Sequence, residues 1–262
     1  VEINNELNEN LIPFMNIYNL YGSIINDNNK SIEDKIRIGK IIKEYTKVSI
    51  DEFTVIKSCL YWNHYLKDNY SIIKKVFTGL YLSKVKCSKC GYYNGTFDPF
   101  DSIQLQLPQK NNITLDDCFN QFFKIELLKN DNKYNCIKCQ QKVEAIKKIE
   151  IWTLPNVLII QLKRFESFSM FPKKKNDNVE CLFTISLEKY CSKLNKLGNF
   201  NYELYGVCNH YGGTQGGHYT ANVKNPLNNL WFEFNDESIY HIDTNNVITN
   251  SAYLLFYKRI IN

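Results

Sequence analysis

No stretch of this sequence approaches the roughly 18 consecutive apolar residues that a membrane-spanning helix needs, and the opening VEINNELNEN has no signal-peptide character. An excess of one charge is missing too. The 32 basic and 27 acidic residues leave a net charge of +5, with both signs intermixed. The short run Lys173, Lys174, Lys175 follows Pro172 and precedes Asn-Asp, which reads as a solvated loop rather than a nucleic-acid patch. An even set of cysteines is also lacking. Nine cysteines in a long chain, four of them in two C-x2-C pairs, do not describe a secreted disulfide scaffold and fit a reducing compartment. The expected protein is therefore intracellular, cytoplasmic or nuclear, with neither membrane nor nucleic acid as its partner.

What is present is the material of a folded domain. With 262 residues, 44% hydrophobic and 14% aromatic content, the chain can bury a substantial core in one large domain or two small ones. Asparagine and lysine are scattered through folded-looking sequence, a compositional bias that carries no function. Leu11, Phe14, Met15 and Tyr18 follow helical spacing, and Ile36, Ile38, Ile41, Ile42 and Tyr45 make a second, less regular apolar face. Between them, Ser31 with Asp34 forms an imperfect capping box. A third helix is expected from about residue 50 to 66, with Phe53, Ile56, Leu60 and Cys59 inward.

Cys87-x2-Cys90 and Cys136-x2-Cys139 have knuckle spacing, and Gly91 follows the first pair. Four thiolates suit a closed tetrahedral zinc site, structural because no position is left for water; the alternative is four unmetallated cysteines. Between the pairs, Ile103, Leu105 and Leu107 alternate with Gln104 and Gln106 as a strand, and Thr114 opens a capped helix running through Cys118 and Phe119. Further on, Ile149, Ile151 and Trp152 form a strand, Pro155 turns it, and Val157 to Leu162 form a buried one. Lys163 and Arg164 end that strand, either facing a substrate cleft or merely solvated. Phe183, Ile185 and Leu187 make another strand. Cys118, Cys181, Cys191 and Cys208 have no partner spacing and are assigned to packing.

The stretch from His210 to Asp236 carries the chemistry. His218 follows Gly216 and Gly217, glycines that let a substrate main chain pass close to the imidazole. Tyr219, Ala221 and Val223 alternate as a strand, Asn225, Pro226, Asn228 and Asn229 turn it, and Trp231, Phe232 and Phe234 form the returning strand. Such a hairpin brings Asn235 beside His218. An Asn there can accept the imidazole N–H and leave the other nitrogen free to take a proton from a thiol or hydroxyl. A loop histidine beside two glycines is the plainer reading of those residues alone.

The longer pattern resembles the ubiquitin-specific proteases, a papain-like family of thiol hydrolases. The resemblance rests on YELYGVCNHYGGTQGGHYTANVKN, WFEFND and SAYLLFYKR near the end, on VEAIKKIEIWTLPNVLIIQLKRF in the middle, and on DEFTVIKSC through to KCSKC earlier. It implies an α+β fold over 1–262 as a single catalytic domain: a helical thumb over about 1–80, zinc-tipped β fingers over about 81–148, and an antiparallel β palm over about 149–262. By the same resemblance His218 is general base and acid, Asn235 orients it and Asp236 supports it. Glu52, Phe53, His210, Gly217 and Tyr219 are expected at the substrate. Cys87, Cys90, Cys136 and Cys139 are expected to bind one structural zinc, with no catalytic cofactor. Ubiquitin or ubiquitinated proteins are the implied partners. Gln161 replaces a histidine common in the family, and Ser49 stands where an acidic residue usually helps grip the substrate's tail.

The nucleophile is not in view. The family's Gly-Asn-x-Cys-Tyr box has no counterpart in residues 1–80, where Cys59 is the only cysteine and lies in the expected third helix. The first residue is valine, so the expectation is that the cysteine box lies upstream of Val1. The alternative is an inactive ubiquitin-binding scaffold. A zinc-ribbon nucleic-acid module is a third reading, hinted at only by Lys84, Lys86 and Lys89.

Overall fold

The computed structural model describes residue 31 and residues 50–166, 173–195, 198–214 and 216–260. The helices expected around residues 11–18 and 36–45, Asp34 of the capping box, and Ser49 lie outside these residues. Helix α1 (Ile50–Asn69) starts with Asp51 and Glu52, carboxylates that complement the positive end of a helix. Ile56, Cys59 and Trp62 form its inward stripe and pack with Leu80, Leu82, Phe97 and Trp152. Phe53 and Leu60, which the spacing also points inward, are only half-buried, and Trp62 takes the deep position one turn on. The Tyr93 hydroxyl donates to Asp51 at 2.6 Å and pins the helix start to the neighbouring sheet. Helix α2 (Ile72–Phe77) is capped by Ser71, whose side chain accepts from the Lys74 amide.

Strands β1 (Gly79–Cys87) and β2 (Tyr93–Phe100) pair as a hairpin with the first cysteine pair at its tip. Gly79 is required where it stands, because a Cβ there would lie 2.4 Å from the Phe100 ring. The chain then leaves the hairpin through β3 (Ile103–Gln106) and β4 (Ile113–Thr114) into α3 (Leu115–Phe122), whose start is a full capping box of Thr114 and Asp117. It comes back through β5 (Glu126–Leu128), β6 (Tyr134–Cys136), β7 (Gln141–Val143) and β8 (Ala145–Thr153). The finger sheet has the order β2-β1-β8-β5.

The rest is β9 (Val157–Lys163), β10 (Phe165–Glu166), β11 (Lys173–Lys174), β12 (Val179–Glu180), β13 (Thr184–Ser186), β14 (Asn201–Gly212), β15 (Gly217–Lys224), β16 (Trp231–Asn235), β17 (Ser238–Ile242) and β18 (Ala252–Arg259). The main sheet runs β17-β16-β15-β14-β18-β9-β3, with β13 also on β14. All its pairs are antiparallel except β3 on β9. Strand β3 thus leaves the finger sheet and joins the larger one. The alternating Ile103 and Leu105 are fully buried, a condition met beside Ile160 and Leu162 of the palm and not on a projecting hairpin. One core cluster joins them to Leu158, Tyr202, Leu204, Val207, Leu255 and Tyr257. Among the described residues, no helix is long and apolar enough to cross a membrane.

Arg164 departs from expectation most sharply. It is 0% exposed rather than solvated or facing a cleft. Its guanidinium donates to the Ala252 carbonyl at 2.7 Å, to Asp177 at 2.8 Å and to Lys175 at 3.1 Å. The charge is held by main-chain dipoles, and it ties the β10–β11 excursion to the start of β18. Arg164→Met is expected to lower unfolding free energy by about 3 kcal/mol, since the buried Ala252 carbonyl and two part-buried carbonyls lose a charged donor; the shift of the urea midpoint measures this.

Candidate active site

Strand β14 runs outward to Gly212 and β15 returns from Gly217, with Tyr211 opposite His218 and His210 opposite Tyr219. Strands β15 and β16 pair from Ala221 opposite Phe234 to Lys224 opposite Trp231. The turn between them is closed by the Asn225 amide donating to Leu230 and by Asn229 in the left-handed region at φ +59°. Alternation puts His218, Thr220 and Asn222 on the same face as Trp231, Glu233 and Asn235. His218 Nε2 lies 2.7 Å from Asn235 Oδ1. An amide oxygen only accepts, so Nε2 carries the proton and Nδ1 presents a lone pair. His218 is exposed and Asn235 half-buried, which leaves the free nitrogen reachable. Asp236 is exposed, at φ +49°, and opens the two-residue link by which Asn235 faces Ser238 of β17.

The residues beside His218 form a ring box. His210, expected at the substrate, is 4% exposed. Its ring centroid is 4.7 Å from that of Tyr219, 5.4 Å from Phe165 and 6.1 Å from Tyr253. Tyr253 in turn accepts from Gln161 at 2.6 Å, so Gln161, standing where the family often has histidine, supports the box. Gly217 has no open space on its side-chain face: a Cβ would lie 2.4 Å from His210 Nε2 and 2.3 Å from the Tyr211 carbonyl oxygen. Its missing side chain admits this chain's own histidine. Gly216 does face open space. Tyr219 is 54% exposed and covers the box from outside. Burial first, and the Lys174 ammonium second, hold the His210 imidazole below its ordinary proton affinity. Glu52 and Phe53 are half-buried in the first turn of α1, which packs on β2 of the finger sheet.

Phe165 had no signal in the sequence beyond following the buried strand. The box draws on β10, β14, β15 and β18, and no local pattern links positions that far apart. Thr220 and Asn209 were equally hidden. Both are buried beneath the hairpin, with Asn209 Nδ2 donating to Thr220 Oγ1 at 3.3 Å.

At the finger tip the Sγ atoms of Cys87, Cys90, Cys136 and Cys139 all lie within 4.8 Å of one another. Cys87 to Cys139 is 3.8 Å and Cys90 to Cys136 is 3.7 Å. A disulfide needs about 2.05 Å, whereas a tetrahedron of sulfurs about 2.3 Å from a central ion has edges of roughly 3.8 Å. The Cys90 and Cys139 amides each donate to the first sulfur of their own pair at 3.4 Å. Burial acts to raise the Cys87 thiol, but hydrogen bonds from Cys90 and Lys89 outweigh it and bring it down to about 6. Cys139 is pushed up to about 12, chiefly by its contact with Cys90 and by burial. Four crowded sulfurs cannot all ionise without a cation between them. The donor set fits, and the four sulfurs can hold one metal ion.

A family model described as "Ubiquitin carboxyl-terminal hydrolase" matches residues 4–257, which take in the hairpin and both cysteine pairs. This chain is a member of that family. Ubiquitin carboxyl-terminal hydrolase 2 of Gallus gallus is 35% identical over 205 residues, covering 77% of this chain and 57% of the relative. Ubiquitin carboxyl-terminal hydrolase 4 of Saccharomyces cerevisiae (strain RM11-1a) is 34% identical over 226 residues, covering 78% of this chain and 24% of the relative. The chain thus spans less than two thirds of either. Among solved structures, the SAGA Ubp8/Sgf11/Sus1/Sgf73 DUB module bound to ubiquitin aldehyde matches with a TM-score of 0.66 and 32% identity, over 79% of this chain and 48% of that one. A structure of the module bound to monoubiquitin gives 0.67 and 33%, over 79% and 47%.

Five cysteines lie outside the four-cysteine cluster. Burial raises the thiols of Cys59 and Cys118 to about 11 and those of Cys181 and Cys191 to about 12. Cys208 is also raised by burial, and it lies opposite Ala221, on the sheet face turned away from His218. None has the depressed proton affinity of a nucleophilic thiol.

Two outcomes are expected. Removing metal with a chelator, or Cys136→Ser, should raise amide exchange in β6, β7 and the tips of β1 and β2, while the β14–β15 amides stay protected. His210→Phe should flatten the fall in stability on acidification. A histidine with lowered affinity in the fold leaves the unfolded state binding more protons, so stability is lost as pH falls below about 6.5 toward the folded value. Urea titrations at pH 7.5 and 5.5 compare the two proteins.

Proposed function

We propose that this chain carries the general-base half of a deubiquitinating thiol hydrolase, an isopeptidase that cleaves after the C-terminal glycine of ubiquitin or a related modifier. The nucleophilic cysteine is supplied upstream of Val1. The observation that carries the reading is the 2.7 Å hydrogen bond between His218 Nε2 and Asn235 Oδ1, which leaves Nδ1 to serve a thiol. All nine cysteines of the chain lie in the four-cysteine cluster or in buried or averted positions, which supports a thiol from outside these residues.

In this reading His218 takes the thiol proton and the thiolate adds to the glycine carbonyl carbon. The tetrahedral intermediate collapses as the imidazolium gives its proton to the leaving lysine ε-amine, and a thioester remains. Water, deprotonated by His218, then adds to the thioester and releases the modifier's carboxylate and the free thiol. Asn235 fixes the tautomer throughout, and Asp236 is polar support at the hairpin end. Tyr219, Glu52 and Phe53 are the proposed substrate-facing residues. The metal is assigned as one structural zinc on Cys87, Cys90, Cys136 and Cys139, which holds the finger tip and takes no chemical step. Thumb, fingers and palm then form one intracellular catalytic domain acting on ubiquitinated proteins.

In the full-length protein, His218→Ala should lower kcat on a fluorogenic C-terminal amide of ubiquitin by about 10² to 10⁴, and Asn235→Ala by a smaller factor. Turnover unchanged in His218→Ala overturns the assignment. Ubiquitin binding with no turnover in the wild-type full-length protein replaces it with a non-catalytic scaffold.

A further inference from the structure

The chain places a second histidine against the hairpin. His210 reaches neither solvent nor an open cleft. Its Nε2 instead fills the space where any residue but glycine at 217 would carry its side chain. Gly217 is bonded to His218, so the ring bears on the backbone that aims the base. The ring is held from several directions. Tyr219 of β15, Phe165 of β10 and Tyr253 of β18 surround it. The His210 amide donates to the Ser251 carbonyl at 2.9 Å, and its own carbonyl accepts from Lys174 of β11 at 2.5 Å. Nδ1 has no hydrogen-bond partner among the described residues. A buried imidazole with an idle nitrogen is not retained for that nitrogen's hydrogen bond, and its contribution here is shape.

We propose that His210 is a positioning residue for the reaction, a neutral ring that wedges against Gly217 and fixes the path of the backbone into His218. This rests on His218 being the general base. The wedge explains why glycine precedes the base, and why Tyr219 directly after it turns back over the same ring. The two residues flanking His218 are both seated on His210, so the base has little freedom to pivot. A misplacement of about 1 Å at such a point costs on the order of 10²-fold in rate.

The test uses the full-length protein and separates turnover from binding, with kcat read on the fluorogenic ubiquitin amide and Kd on ubiquitin itself. His210→Ala removes the wedge and should lower kcat about tenfold to 100-fold with Kd within about twofold of wild type. His210→Phe keeps a ring and should recover most of the loss. Gly217→Ala drives a methyl into the ring and the Tyr211 carbonyl, and should lower kcat with Kd kept even if His210→Ala does not fold. The inference is overturned if kcat is unchanged in His210→Ala or Gly217→Ala, if Kd rises in step with the loss of kcat, or if Phe is as impaired as Ala. His218→Ala, run alongside, tells the two readings apart. Turnover lost there but kept in His210→Ala and Gly217→Ala sinks only this inference, whereas turnover kept in His218→Ala sinks both.

Discussion

Tyr211 opposite His218 and Ala221 opposite Phe234 are two points of one strand register, and everything at the site hangs on it. Side chains on a strand alternate between faces, so a slip of one residue would turn His218 outward and leave Asn235 on the other side. The register is pinned by what lies inward along the same strands. Val207 of β14 is buried in the core and Trp231 of β16 packs edge-on to Phe183. The exposed hydrogen bond at the hairpin end is thus held in place by burial four residue pairs away. An isolated exposed contact of this kind contributes little stability by itself.

The same arrangement explains the unequal treatment of His210 and His218 and the place of Gly217. His218 stands at the open end of β15, where its free nitrogen is reachable, while His210 sits one pair along on the opposite face with its ring enclosed. Alternation makes them different residues chemically, although they are only eight positions apart in the chain. Gly217 is the point where both meet, because a side chain there would collide with the enclosed ring.

The cysteine cluster serves another sheet. Strands β1 and β8 carry the finger sheet, and the cysteine pairs close its far end, where burial is too sparse to order the chain. The hydrophobic contacts there amount to Cys87, Cys136 and Val143 with a few half-buried neighbours. A metal ion on the four sulfurs would substitute for the core that so narrow a projection cannot build. Close to the palm the finger sheet rests instead on α1 through Leu80, Leu82, Phe97 and Trp152.

Much of this was legible before any coordinates. The β15–β16 hairpin follows from alternation on either side of an asparagine- and proline-rich turn, and the cysteine cluster from two pairs with knuckle spacing; the Thr114 cap is read from the four residues Thr114 to Asp117. The hairpin, the cap and each cysteine pair are written in neighbouring positions, where chain connectivity sets the geometry, while the two pairs meet across the finger sheet. The inner face of α1 was read less well, since a weak periodicity leaves Phe53, Leu60 and Trp62 to be sorted by the sheet that covers them. Only the tertiary structure decided that Arg164 is buried among carbonyls, that β3 belongs to the palm, and that His210 lies under Gly217. Those outcomes depend on partners as far away as 88 residues, in the case of Arg164 and Ala252. The sequence by itself determined which groups are available for chemistry. Burial and hydrogen-bond satisfaction across distant strands decided which of them reach the surface and which hold the others still.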